Sequence, residues 1–164
     1  MLYAMRNGIV ADALRRGGCK RRLIWGVNLP QLSEIAAALG PSADLSWQLL
    51  DDDSLRESIL LAPMVFPVQE LTFADAMRFC QAVRWSEEAD VLCFKLLRKA
   101  PFAVALATEL CADDDALRRY TGLRLWLNIS GAHPHEAYRA AKTELERTEP
   151  VALASEIITV LRGI

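Results

Sequence analysis

Basic side chains are the residues with the clearest capacity for chemistry in this sequence. Six of them lie within the first 22 residues, where Asp12 is the one acid. A cluster of cations can bind phosphate groups, or it can form an ordinary solvated helix surface, and the sequence leaves both alternatives open. The formal net charge of -2 counts mildly against a nucleic-acid partner. The six residues are Arg6, Arg15, Arg16, Lys20, Arg21 and Arg22.

The other polar residues do not indicate metal or nucleophile chemistry. His133 and His135 flank Pro134 with no third ligand nearby, whereas a metal site normally needs three or four ligands. The cysteines show no C-x-x-C spacing, and a free thiol in an apolar helix behaves as a small hydrophobe. The sequence contains no P-loop, dinucleotide fingerprint or nucleophile elbow. We therefore predict neither a metal nor a cofactor.

Helices must position these side chains, because apolar residues recur with helical spacing along the chain. The set from Leu32 to Leu39 has the i, i+3, i+4, i+7 pattern, with Asn28 as its N-cap and Gly40 as its stop. Strand-like alternation is absent, and short loops favour antiparallel neighbours. The predicted fold class is all-α. The predicted helices cover residues 3–16, 29–39, 43–50, 72–83, 86–99, 114–129, 134–147 and 150–161, with two more starting near residues 54 and 101.

A weak internal repeat refines this fold. The segment LLDDDSLR at residues 49–56 returns as CADDDALR at residues 111–118. Repeated helix pairs bury their apolar faces against neighbouring pairs, so we predict a superhelix of stacked HEAT-like helical hairpins. The pattern Ser54-x-x-Glu57 also predicts a capping box. Arg56 and Arg118 occupy equivalent repeat positions, where they contact phosphate or pair with neighbouring acids such as Glu57.

The chain length fits one domain, and we predict a single domain over residues 1–164. An apolar stripe within residues 132–164 predicts C-terminal helices that cap the last repeat, with dimerisation as the alternative. No segment has the length of a membrane span, and the first residues lack the apolar core of a secretion signal. We therefore expect a soluble cytoplasmic protein, either a monomer or a homodimer.

Several segments, taken in order, resemble a known family. The segment Trp25-Gly26-Val27-Asn28-Leu29-Pro30-Gln31-Leu32-x-x-Ile35-Ala36 is similar to the "GV..P.L..IA" opening of the AlkD-like HEAT-repeat family of DNA alkylation-repair proteins. Residues 45–50 (LSWQLL) and 55–58 (LRES) resemble that family's "LA..LW" and "REE" segments. The resemblance covers about residues 6–130 and is to a short branch of the family. It implies an α-α superhelix whose basic concave face binds duplex DNA by its backbone.

The resemblance also implies candidate catalytic residues. Active members release positively charged alkylated bases, and a carboxylate and aromatic faces stabilise the cation that develops on the sugar. The family's W-W-D-x-x-D segment corresponds here to Trp85-Ser86-Glu87-Glu88-Ala89-Asp90, which places Asp90 at the catalytic carboxylate and Trp85 at the first aromatic. Ser86 replaces the second aromatic, so DNA glycosylase activity is an open question. Trp126 corresponds to a later family aromatic, with core packing as the alternative.

Two functions follow as hypotheses. The first is a DNA-binding protein of the alkylation-repair type, active or degenerate, with Arg56, Arg118, Lys20, Arg21 and Arg22 as DNA contacts. The second is a non-catalytic helical-repeat scaffold that binds a protein partner. DNA binding predicts that basic residues converge on one face and that affinity falls steeply with salt. A scaffold groove is instead mixed in charge or acidic, with exposed apolar patches.

Overall fold

The computed structural model describes residues 2–162, and within them the regular secondary structure is helical. This confirms the all-α prediction. An isolated bridge between Leu23 and Leu55 is the strand-like pairing found in the described residues. Short 3-10 helices lie at Leu2–Met5, Val68–Glu70 and Leu97–Lys99. The α-helices are α1 (Gly8–Arg16), α2 (Leu29–Leu39), α3 (Ala43–Asp51), α4 (Arg56–Val65), α5 (Phe73–Ala82), α6 (Ser86–Lys95), α7 (Ala103–Cys111), α8 (Ala116–Ile129), α9 (Pro134–Leu145) and α10 (Leu153–Leu161).

The helices form two compact units, with the boundary between Thr72 and Phe73. In the first unit, α2 and α3 both pack against α4. In the second unit, α8 is the central helix and contacts α6, α7, α9 and α10. Consecutive helices therefore pack as pairs within each unit. The single domain and the capping role of residues 132–164 stay predictions, and positions 1, 163 and 164, which they include, lie outside the described residues.

Polar caps define the early helices, with one difference from the prediction. The Asn28 side chain accepts a hydrogen bond from the Gln31 N–H, and the Asn28 N–H donates to the Gln31 side-chain oxygen, which completes a capping box at the predicted start of α2. The first helix does not begin at residue 3 as predicted. Asn7 accepts hydrogen bonds from the N–H groups of Ile9 and Val10, so α1 begins only at Gly8.

Glu57 is not part of the predicted capping box. It lies fully buried in the first turn of α4, and its carboxylate accepts hydrogen bonds from the backbone N–H groups of Trp25, Gly26 and Val27 at 3.0–3.3 Å. The Ser54 hydroxyl instead donates to Asp52 at 2.9 Å. The prediction of a local cap is therefore wrong, because the carboxylate accepts instead from buried backbone N–H groups that lie 30 to 32 residues earlier in the chain.

The loop at residues 25–27 also explains why residue 26 is a glycine. The residue has φ +75°, in the left-handed region that favours glycine. A Cβ atom there would lie 2.2 Å from the carbonyl oxygen of Asn7 and 2.7 Å from the N atom of Ala11. The N-terminal end of α1 therefore lies directly against the loop. The segments containing Trp25 and Glu57, which carry much of the family resemblance, contact each other in the structure.

The second unit contains a comparable buried ion pair. Arg119 Nε lies 3.1 Å from both carboxylate oxygens of Glu144, and both side chains are buried. Arg119 also donates to the Asp114 carbonyl, and Glu144 accepts from the N–H of Val151 at 2.9 Å. One buried pair thus joins the Asp-rich turn before α8, the end of α9 and the loop before α10.

The two copies of the Asp-rich repeat end in different local structures. Asp115 caps α8 by accepting from the N–H of Arg118 at 2.9 Å. In the first copy the chain continues through the Leu23–Leu55 bridge before α4 begins at Arg56. Repeat positions that match in sequence are therefore not equivalent in structure. No helix in the described part of the chain has both the length and the apolar character needed to cross a bilayer.

Candidate functional site

The Asp90 carboxylate lies on α6 and is held by two residues of α8. The Tyr120 hydroxyl donates a hydrogen bond of 2.8 Å to Asp90 Oδ1, and Arg124 Nε lies 2.8 Å from the same oxygen. Tyr120 and Arg124 are one helical turn apart, so both reach one point on the neighbouring helix. The Asp90 and Arg124 side chains are each 31% exposed. The pair is therefore ordered by its neighbours and still open to a ligand.

The environment of Tyr120 keeps its hydroxyl protonated. Burial raises the pKa of Tyr120 well above its ordinary value of 10.0, and the hydrogen bond to the Asp90 carboxylate raises it further. The charge of Arg124 acts in the opposite direction and is outweighed. The phenol therefore remains a donor toward Asp90 at alkaline pH as well, where an ordinary tyrosine ionises. Its role in this geometry is to orient the carboxylate.

Further polar and aromatic side chains continue this surface in both directions. Asp90 and Phe94 are one turn apart on α6, while Tyr120, Arg124 and Asn128 follow at the same spacing on α8. The Arg98 guanidinium lies 3.9 Å above the centre of the Phe94 ring. We call this surface the α6–α8 face and define it by six residues: Asp90, Phe94, Arg98, Tyr120, Arg124 and Asn128.

Trp126 does not join Asp90, although the two were predicted to share a catalytic site. Successive residues of an α-helix are about 100° apart, so Trp126 points away from the side of α8 that carries Arg124. It is only 3% exposed, and its ring meets that of His133 edge to face at 6.5 Å. Trp126 therefore packs in the core, which was the alternative to a catalytic role. Its indole N–H has no hydrogen-bond partner among the described residues.

Trp85 and Ser86 lie at the start of α6, the helix that carries Asp90. Trp85 has an extended backbone and precedes α6 as its N-cap residue, with its side chain partly buried. Ser86 is the first residue of α6 and lies one turn before Asp90. Ser86 therefore places only a small hydroxymethyl group on the turn before Asp90.

Arg56 is not available for the phosphate contact that the sequence predicted. Its side chain is buried, with Nη1 2.8 Å from Glu57 Oε1 and 3.2 Å from the Val27 carbonyl oxygen. The alternative, pairing with Glu57, is what the structure contains. Arg118 is partly exposed, and its Nε lies 3.7 Å from Asp113 Oδ2 in the Asp-rich turn. Arg56 therefore forms a buried ion pair, whereas Arg118 is partly exposed beside Asp113.

The predicted N-terminal DNA contacts separate into buried and exposed residues. Arg21 is buried and donates to the Asp53 carbonyl oxygen at 2.8 Å, so it holds the Asp-rich turn in the first unit. Lys20 and Arg22 are exposed. The adjacent Asp51–Asp53 turn is exposed as well. Its acidic side chains weaken the local attraction for an anion.

Several residues of the α6–α8 face escaped the sequence prediction. Tyr120, Arg124, Phe94 and Arg98 were not singled out, although the i, i+4 spacing within α8 and along α6 is visible in the sequence. What the sequence does not reveal is that α6 packs against α8, which brings the two rows together. In the described part of the chain, His, Cys, Asp and Glu residues do not cluster in a way that could hold a metal ion.

Comparison of the chain with protein-family models, with curated proteins and with solved structures finds no match.

Proposed function

We propose that this chain is a DNA-binding protein of the alkylation-repair type, and that it contacts the sugar-phosphate backbone through the α6–α8 face. The observation that carries the proposal is the surface ion pair between Asp90 and Arg124. Asp90 is the position that the family resemblance singles out. An arginine beside it supplies the charge and geometry that a phosphate requires.

The arginines of this face suit phosphate contact. Arg124 meets Asp90 through Nε, and a guanidinium has two further amino groups that can donate to an oxyanion. The Arg98 guanidinium carbon lies 3.9 Å from the centre of the Phe94 ring, a cation–π contact that helps to order the side chain. Both arginines belong to one unit. The Arg98 charge, together with the part of the Arg124 charge that Asp90 does not neutralise, attracts a polyanion.

We propose that binding, rather than base release, is the main activity. A cation on the sugar gains most from an uncompensated carboxylate and from aromatic walls. Here Arg124 partly neutralises Asp90, Ser86 replaces one aromatic, and Trp126 is enclosed on the other side of α8. A methylated duplex would therefore bind, while its alkylated base would leave slowly or not at all.

Fluorescence anisotropy with a labelled duplex tests the binding proposal. We expect affinity to fall steeply between about 50 and about 200 mM salt, and Arg124→Gln to reduce the salt slope by about one. Lys142→Gln is the matched control, because Lys142 is an exposed cation on α9 outside the α6–α8 face. Equal affinities for the two variants would refute the assignment of this face, and no duplex binding at low salt would refute the function.

Base release from methylated duplex tests the catalytic part separately. We expect little or no release by the native chain. Release that disappears in Asp90→Asn would make the protein a glycosylase and overturn the binding-only proposal. Release that survives in Asp90→Asn would place the chemistry elsewhere.

A non-catalytic scaffold for a protein partner is the second candidate. Large apolar side chains are exposed at scattered positions, including Ile9 at 82% and Val160 at 61%, but single exposed residues of this kind do not by themselves form a partner-binding patch. A scaffold would show no duplex affinity at low salt. The anisotropy experiment therefore separates the two functions.

A further inference from the structure

We infer that a cleft in the second unit, beside the end of the α6–α8 face, binds the phosphate group of an organic phosphate. The cleft has a volume of about 520 Å³. Its walls come from the segment that leads from α6 into α7 and from the segment between α8 and α9. Its polar side chains are Arg98, Lys99, Asn128 and His133.

The charged side chains that line this cleft are basic. Arg98 and Lys99 line it, and none of its lining residues is an aspartate or a glutamate. Among the described residues, neither cation forms an ion pair with a carboxylate; Arg98 instead lies over the Phe94 ring. Acids outnumber bases in the chain as a whole, by 21 to 19. Two uncompensated cations in one concave site therefore mark it as a place for an anion.

The backbone adds to this preference. The first residues of α7, Ala103 and Val104, line one side of the cleft. Gly131, Ala132 and His133, which lead into α9, line the other. The start of a helix carries unpaired N–H groups and positive partial charge. The N–H groups of Ala103, Ala132 and His133 already donate to backbone carbonyl oxygens and Pro134 has none, so the backbone adds mainly the positive partial charge at the start of α7.

The size of the cleft indicates more than an inorganic ion. Pockets for small organic ligands have volumes of about 300–1,000 Å³, and this cleft falls within that range. Val104, Ile129 and Ala132 supply apolar surface next to the cations. The chemistry is therefore that of a phosphate attached to an organic group. The phosphate could belong to a free phosphomonoester or to a nucleic-acid strand, and only the second source rests on the proposed function.

Titration of the full chain with inorganic phosphate, followed by amide chemical shifts, tests the site directly. We expect saturable shifts at Ala103, Val104, Gly131 and His133. Combined Arg98→Gln and Lys99→Gln substitutions should weaken phosphate binding at least about ten-fold, since contacts to charged groups are the strong ones. Lys142→Gln should leave it unchanged. Absence of shifts at these amides, or equal phosphate affinity in the double variant, would overturn the inference.

A second pair of titrations distinguishes the phosphate source. A short oligonucleotide with a 5′-phosphate and the same oligonucleotide without it are compared at one salt concentration. Preference for the phosphorylated strand supports a terminal monoester, while equal binding of both strands with loss in the double variant supports a backbone diester. Phosphate binding together with absent duplex binding would support the cleft and refute the proposed function. Duplex binding without amide shifts on adding phosphate would support the proposed function and refute the cleft as a phosphate site.

Discussion

The Nε atom of Arg124 lies 2.8 Å from Oδ1 of Asp90, and this contact joins α8 to α6 at the protein surface. Tyr120 donates to the same oxygen from one turn earlier on α8. An acid at this position would otherwise project freely from α6 as an ordinary solvated side chain. The contact makes Asp90 a fixed group, and it also limits how much negative charge Asp90 presents.

The energy of this pair can be measured by a double-mutant cycle with Asp90→Asn and Arg124→Gln. We expect a coupling of about 1 kcal/mol, near the upper end for surface pairs, because Tyr120 orders the carboxylate and both side chains are partly covered. Urea unfolding of the four proteins gives the value. Coupling near zero would mean that Arg124 does not hold Asp90 in solution and that Tyr120 alone orients the carboxylate.

Glu57 should be among the most sensitive positions of the first unit. Replacing it by Ala leaves the Arg56 charge buried, together with the N–H groups of Trp25, Gly26 and Val27. We expect Glu57→Ala to lower the free energy of unfolding by about 3–5 kcal/mol. Glu34→Ala, at an exposed site on α2, is the control and should change it by less than about 0.5 kcal/mol. Similar losses for both variants would contradict the enclosed carboxylate.

Gly26 and Gly18 form a natural pair for separating backbone strain from steric overlap. Both have positive φ, but a Cβ at Gly18 meets no atom within 4 Å, whereas at Gly26 it would overlap the Asn7 carbonyl. Gly18→Ala should cost about 1–2 kcal/mol from backbone conformation alone. Gly26→Ala should cost clearly more in the same unfolding experiment. Equal losses would show that the loop can move away from α1.

Alkaline pH should destabilise the second unit through buried thiols. Burial raises the pKa of Cys80 from 9.0 to about 12, with the Arg118 charge opposing the effect, and burial raises that of Cys93 in the same direction. Unfolded Cys80 ionises above pH 9.0 while the folded thiol stays protonated, so stability is complete below pH 9.0 and is lost toward about pH 12.

The size of this effect can be isolated with Cys80→Ala. Each such thiol contributes a slope of at most about 1.4 kcal/mol per pH unit in that window. Urea unfolding at several pH values should give a shallower alkaline decline for Cys80→Ala than for the native chain. Parallel declines would show that the Cys80 thiol is not protected in the folded state.

Local signals in the sequence were sufficient for much of the fold. The cap at Asn28 and the stop at Gly40 predicted α2 correctly, because both act on the nearest backbone groups. Glu57 was misassigned for the opposite reason. The pattern Ser54-x-x-Glu57 matches a local cap, but the groups that Glu57 satisfies lie about 30 residues earlier in the chain.

The candidate site was predicted less completely than the fold. Asp90 was proposed from the resemblance, whereas its partners Tyr120 and Arg124 are set by the packing of α6 on α8, which periodicity does not specify. Trp126 shows the same limit. Its helix was predicted, but which side of α8 faces α6 depends on how the second unit assembles. For Arg56 the sequence left phosphate contact and pairing with Glu57 as alternatives, because it does not show that the Glu57 carboxylate is enclosed.

The buried contacts of Glu57 with Arg56 and with the loop at residues 25–27 also have a consequence for the order of folding. The hydrogen bond from the Trp25 N–H to Glu57 spans 32 positions of the chain, and α2 and α3 lie between its ends. Closing so long a segment costs chain entropy before any contact compensates for it. We therefore expect the carboxylate to be enclosed after the intervening helices have docked. Glu57→Gln should speed unfolding and leave refolding nearly unchanged in stopped-flow measurements, and a slowed refolding phase would place this contact in the nucleus instead.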